Sequence, residues 1–170
     1  SGASLPAWLS IDSDSGYLSG TPGNSDVGVI SVTVTATDLA AAKKSQSFNL
    51  TVVNTNDAPV VDVLHALADT SVDEDSVLNL PTVQAFNDVD AGDTRSYSAN
   101  LSDGSALPAW LTIDPVTGVI SGTPSDGDEG VLSVSVSMTD SAGAKVTDAF
   151  NLTVVNTNDV AFEDQQFSLR

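Results

Sequence analysis

The chain repeats itself at long range. SGASLPAWLSIDSDSGYLSGTP at residues 1–22 returns as DGSALPAWLTIDPVTGVISGTP at 103–124, so Trp8 recurs as Trp110, and the register holds without a gap to Asp57 and Asp159. NLTVVNTND occurs twice in full. A period of about a hundred residues is a whole domain copied in tandem, well beyond the roughly 20–50 residues of a solenoid unit. Three segments follow: a first copy over 1–57 that lacks the counterparts of Ala58 to about Asp103, a complete copy over 58–159, and a tail over 160–170. The tail resembles the opening of a third copy, with Glu163, Asp164, Phe167 and Leu169 answering Glu74, Asp75, Leu78 and Leu80. The chain is expected to be a stretch of a longer array.

Each copy reads as all-β. In Val29–Thr37 and Val131–Thr139 apolar residues alternate with Ser and Thr, the period of a strand with one buried face. That alternation points Val32, Val34 and Ala36 inward. FNLTVV follows each run after a short polar stretch, so each pair reads as a hairpin closing its domain. Short strands separated by Gly, Pro, Asp and Asn at about 8–12-residue spacing predict a β-sandwich.

Charge narrows the partners. Acidic residues outnumber basic ones 23 to 5, a net charge of −18, which argues against nucleic acid and anionic membrane surfaces and favours cations. No cysteine is present to form a disulfide or ligate a metal as thiolate. No apolar run approaches the roughly 20 residues of a membrane span.

Several conspicuous residues have plain structural readings. Trp8 and Trp110, each in LPAWL, are read as core aromatics. Asp12 and Asp114, each four residues before a Gly, make tight turns by bonding their own backbone. His65 is the single histidine and is assigned no role. The sequons at Asn49, Asn100 and Asn151 matter only in a glycosylating secretory pathway.

The carboxylates are clustered: Asn56 and Asp57 in NTNDAP, Asp73–Asp75 in VDEDS, Asp88, Asp90 and Asp93 in NDVDAGD, Asp126, Asp128 and Glu129 in SDGDEG, and Asp140 after the long strand. Two like charges 4 Å apart repel by about 4 kcal/mol at an effective dielectric near 20, so such clusters call for a counterion. An all-oxygen donor set without His or Cys suits Ca²⁺, which takes about 6–8 oxygens, better than Mg²⁺ with its tight octahedron.

The order of Asn-Asp-Ala-Pro linker, acidic pair on the first strand, D-x-D, I-D-x-x-T-G, acidic loop, and Thr-Asp before the closing hairpin resembles a cadherin repeat. LPAWL…SGTP is similar to the dystroglycan-type cadherin-like domains of large bacterial surface and secreted proteins. The resemblance implies tandem Greek-key immunoglobulin-like (cadherin-like) β-sandwiches of seven strands, strung end to end with Ca²⁺ at the junctions. Carried over, it implies a junction of Asn56, Asp57, Asp88, Asp90 and Asp140, with Asp26 reaching up from the first copy. Glu74, Asp126, Asp128, Glu129, Asn158 and Asp159 would form half of the next site. The implied function is a non-catalytic, calcium-dependent adhesive and spacing module, extracellular or at the cell surface. Its partners would be other cadherin-like repeats.

Two further expectations stand beside it. Polysaccharide recognition would need an exposed aromatic, Tyr17 or Tyr97. Strand exchange between copies, with the tail donating a first strand to the incomplete copy, would produce self-association.

Overall fold

The computed structural model describes residues 4–90 and 92–157. Asn158, Asp159 and the whole tail, and with them the expected donor strand, lie outside the described residues. Two compact units divide the chain, Ser1–Asp57 with Asp88–Asp93, and Ala58–Asn87 with Thr94–Arg170.

The second unit is a β-sandwich. Its strands are β5 (Val60–Val61), β6 (Thr70–Asp73), β7 (Leu78–Pro81), β8 (Phe86–Asn87), β9 (Ser96–Leu101), β10 (Leu111–Ile113), β11 (Val119–Gly122), β12 (Gly130–Thr139) and β13 (Lys145–Val155). One sheet has the order β6-β13-β12-β9 and the other β10-β11-β7, the seven strands and Greek-key crossings expected; β5 and β8 form a small separate ladder. The β12–β13 hairpin runs from Gly130↔Val154 to Thr139↔Lys145, while β6 joins β13 in parallel, Leu152↔Thr70 through Val155↔Asp73. Alternation along β12 sends Val134, Val136 and Met138 into a core closed by Val72, Leu78, Phe86, Leu111, Ile120, Phe150 and Leu152.

In the first unit, β1 (Leu9–Ile11) pairs with β2 (Leu18–Gly20), and β3 (Gly28–Thr37) pairs with β4 (Lys43–Val52). A 3-10 turn, Asn24–Asp26, precedes β3. The β3–β4 ladder copies β12–β13 residue for residue, from Gly28↔Val52 to Thr37↔Lys43. Among the described residues these are two-stranded sheets, with no counterpart of β6, β7 or β9. The expected inward face is therefore only partly realised. Val32 is buried, Val34 is half-buried, and Ala36 is exposed. Alternation decides where a side chain points; burial needs a second layer to point at.

The turn reading of Asp12 and Asp114 holds. Asp12 Oδ1 accepts the N–H groups of Asp14 (3.0 Å) and Ser15 (2.7 Å), and Asp114 Oδ1 those of Val116 and Thr117 (both 2.8 Å). Gly16 and Gly118 then take φ of 72° and 66°, a region glycine enters without steric cost. The Gly of each SGTP has a different origin: a Cβ on Gly20 or Gly122 would lie 1.9 or 2.0 Å from the carbonyl oxygen of Trp8 or Trp110. Trp110 packs half-buried against the core.

Tyr97 points inward from β9, its ring 6.3 Å from that of Phe86, so it offers no platform to a sugar. Tyr17 is 74% exposed. All three sequon asparagines lie in strands, on β4, β9 and β13.

Candidate metal site

The loop after β8 turns back on itself because its aspartates bond its own backbone. Asp88 Oδ1 accepts the Asp90 N–H at 3.0 Å, and the Asp90 carbonyl accepts the Asp93 N–H at 3.3 Å. These short spans gather the three side chains, so that one carboxylate oxygen from each of Asp88, Asp90 and Asp93 lies within 4.8 Å of the others. Asp88 and Asp90 are buried and Asp93 half-buried.

The linker closes on the same place. The Asp57 N–H donates to Asp90 Oδ2 at 2.8 Å, and the Asn24 side-chain amide donates to Asp57 Oδ2 at 2.8 Å. The Asn56 amide donates to the Asp57 carbonyl at 3.1 Å. Asn24, Asn56, Asp57, Asp88, Asp90 and Asp93 all belong to the first unit. Asp90 is only 5% exposed, and its Oδ1 is buried with no hydrogen-bond donor. An ionised oxygen in that condition carries a desolvation cost that a bound cation removes. Carboxylates and amide oxygens are hard donors, which fits Ca²⁺.

Asp26 and Asp140 each bond backbone in their own turns. Asp26 Oδ2 accepts the Gly23 N–H at 2.9 Å and pins the 3-10 turn, and it is Asn24, two residues earlier, that reaches Asp57. Asp140 lies in the second unit, buried at the tip of the β12–β13 hairpin, where its Oδ1 accepts the Ala144 N–H at 2.7 Å. Reading the sequence alone missed Asn24. The signal was its position one turn before a strand, in a loop otherwise short of acids.

A second group forms at the β6–β7 turn of the second unit. Glu74 is 2% exposed; its Oε1 accepts the Thr157 N–H at 2.5 Å, while its Oε2 is buried without a donor. Glu129 Oε1 accepts the Asn156 amide at 3.0 Å and Oε2 accepts the Gly127 N–H at 2.9 Å. Its own N–H and then the Asn156 amide hold the Glu129 carboxyl below the usual range. The Ser125 N–H and hydroxyl do the same for Asp128 through Oδ2, at 2.9 and 2.8 Å. Asp126 is exposed.

Residues 1–53 and 58–155 match the sequence model of a family described as putative Ig domain. The chain is 34% identical over 150 residues to the serine-rich adhesin for platelets of Staphylococcus aureus strain USA300, a match covering 88% of this chain and 6% of that protein. The S. aureus strain MRSA252 adhesin of the same name is 33% identical over 150 residues, with 10% of its length covered. Among solved structures, a mouse cadherin-23 fragment, EC22-24, superposes with a TM-score of 0.61 at 17% identity, covering 88% of this chain and 50% of that one. Human CDH23 EC21-23 does so with a TM-score of 0.63 at 17% identity, covering 86% and 50%. These cadherin likenesses establish the fold. No helix among the described residues is long and apolar enough to cross a membrane.

Proposed function

The chain belongs to the putative Ig domain family, and from that premise we propose that it is a calcium-binding, non-catalytic adhesion and spacing module of a bacterial surface or secreted protein. Asp57, Asp88, Asp90 and Asp93 are the ligands of the first site, with Asn56 and Asn24 positioning the linker and Asp26 as an outer contributor. Glu74, Asp126, Asp128, Glu129, Asn158 and Asp159 make the second site. The resemblance of LPAWL…SGTP supports a dystroglycan-type subdivision, and the likeness to a staphylococcal adhesin supports the extracellular setting.

One observation carries the reading: Asp90 Oδ1 is buried and donorless, on a side chain gathered with the carboxylates of Asp88 and Asp93. Without a counterion such a cluster repels itself apart. A cation lets it close, and binding to the folded state alone stabilises that state by mass action. Affinity of about 10⁻⁴ to 10⁻³ M, common in extracellular modules, suffices where calcium is millimolar.

The test is thermal unfolding in EDTA, in CaCl₂ and in MgCl₂. A hundredfold excess of ion over Kd adds about 2.7 kcal/mol, about 10 °C or more for a domain of this size. Asp90→Asn should remove most of the calcium-specific rise. Equal rises for the wild type and this variant, or no rise, would remove calcium from the reading and leave the adhesion module alone. Polysaccharide recognition rests on Tyr17, and affinity electrophoresis with Tyr17→Ala decides it.

A further inference from the structure

The turn that follows β5 presents two aliphatic side chains that nothing in its own unit covers. Val63 is 84% exposed and Leu64 85%, although the second unit has a closed core of its own. Val60, on the outward side of β5, is 54% exposed, and Val83, on the facing stretch of chain, 39%. All four belong to the second unit.

Hydrogen bonds hold this turn in one arrangement. The Asp62 N–H donates to the Ala85 carbonyl at 2.8 Å and continues the β5–β8 ladder, Val60↔Asn87 and Val61↔Phe86, by one step. Asp62 Oδ1 accepts the Leu64 N–H at 3.0 Å, the Asp62 carbonyl accepts the His65 N–H at 3.0 Å, and Asp62 Oδ2 lies 2.8 Å from His65 Nδ1. Past the tip, the Leu67 N–H donates to Asp148 Oδ2 on β13 at 2.8 Å. Both ends of the segment are tied down, and both Asp62 oxygens are engaged inside the turn. Apolar side chains displayed on such a frame lose little further freedom when they make a contact.

Charge selects the partner. The stretch 63–68, VLHALA, holds no acid in a chain that has 23 of them and a net charge of −18. A cationic protein is drawn to the carboxylate clusters instead, and an anionic membrane is repelled. A second molecule of this chain is repelled least where apolar surface meets apolar surface with no carboxylate opposite.

We propose that Val63 and Leu64 form the self-association contact of this adhesion module: two molecules meet about a two-fold axis, Val63 and Leu64 of one against Leu64 and Val63 of the other, with Val60 and Val83 at the margin. An isologous contact of this kind closes on itself. It rests on the adhesion reading, yet it exchanges no strand and uses no carboxylate of either metal site. Four side chains fall well short of the roughly 800 Å² per partner of a standard interface. The contact is therefore weak singly and gains by repetition along an array.

Analytical ultracentrifugation of the full chain in EDTA, at about 10 mM and about 500 mM NaCl, tests it. The expected result is a concentration-dependent dimer that tightens with salt, as the like net charges are screened, and that Leu64→Asp weakens about tenfold or more. Because the chain has no cysteine, Leu64→Cys adds a geometric check. Under oxidation it should cross-link severalfold faster than Val116→Cys, whose site in the β10–β11 turn is 78% exposed. A monomer at every concentration, a dimer that Leu64→Asp leaves intact, loosening with salt, or equal cross-linking overturns the proposal. A chain that stays monomeric yet is stabilised by Ca²⁺ overturns this contact alone. One that dimerises through Leu64 but gains no stability from Ca²⁺ keeps the contact and removes calcium from the module.

Discussion

The hairpins β3–β4 and β12–β13 are one strand pair built twice, with the same ten-residue register. Phe150 on the second is 3% exposed and Phe48 on the first is 40% exposed. Met138 is fully buried and its counterpart Ala36 is open; Leu152 and Val154 are buried and their counterparts Leu50 and Val52 half-buried. Ladder geometry is thus a local property, settled by alternation and by the turn between the strands. Core formation is not: it depends on β6, β7 and β9, which reach the hairpin from far along the chain. Fully burying one aliphatic or aromatic side chain is worth about 1.5–3 kcal/mol, so each half-closed position of the first hairpin contributes less than its buried counterpart in the second.

The largest break in this comparison should come from truncating matched core residues. Leu152→Ala is expected to cost about 2–5 kcal/mol as a cavity with little room to collapse. Leu50→Ala should cost under about 1.5 kcal/mol, because solvent already reaches the site. Urea unfolding followed separately by Trp8 and Trp110 fluorescence checks this, and equal losses would mean the first unit is as well packed as the second. The next effect sharpens the comparison. Gly122→Ala drives a Cβ into the Trp110 carbonyl and should cost about 1–3 kcal/mol in the close-packed unit. Gly20→Ala meets the same clash at the Trp8 carbonyl but in a two-stranded sheet that has room to shift. Its loss in the same assay should be smaller.

The smallest effect should be equal in both units, because it is local. The Thr117 N–H, then the Val116 N–H, hold the Asp114 carboxyl below its usual range, and the Ser15 N–H does so first for Asp12. A lowered folded value means that between it and the ordinary value of 3.8 the unfolded chain binds more protons. The stability is therefore complete above that ordinary value and is lost as pH falls through the lowered one. Asp12→Asn and Asp114→Asn should flatten the acid limb of the melting curve alike. Unequal flattening would show that the turns feel the missing layer.

The same division explains what the residues disclosed in advance. Period-2 alternation and ID-x-x-(S/T)-G are local signals, and both hairpins and both Asx turns were legible from them. The acidic loop was legible too, since Asp88 and Asp90 bond backbone within their own few residues. Three features were not. Ala36 is apolar and in phase, yet exposed for want of a facing strand; Tyr97 passes for a surface aromatic until Phe86 is brought beside it. Asn24 donates to Asp57 while Asp26 accepts the Gly23 N–H, an arrangement visible only once the 3-10 turn exists.

The parallel pairing of β6 with β13 has a mechanical consequence. Tension applied to the second unit through residue 58 and residue 155 pulls β6 and β13 in opposite directions along their common axis. Their ladder, Thr70–Asp73 against Leu152–Val155, is then loaded in shear, all its bonds at once, whereas a hairpin pulled at its open end peels one rung at a time. A unit wired in this way resists extension by the geometry of its load path as well as by its thermodynamic stability.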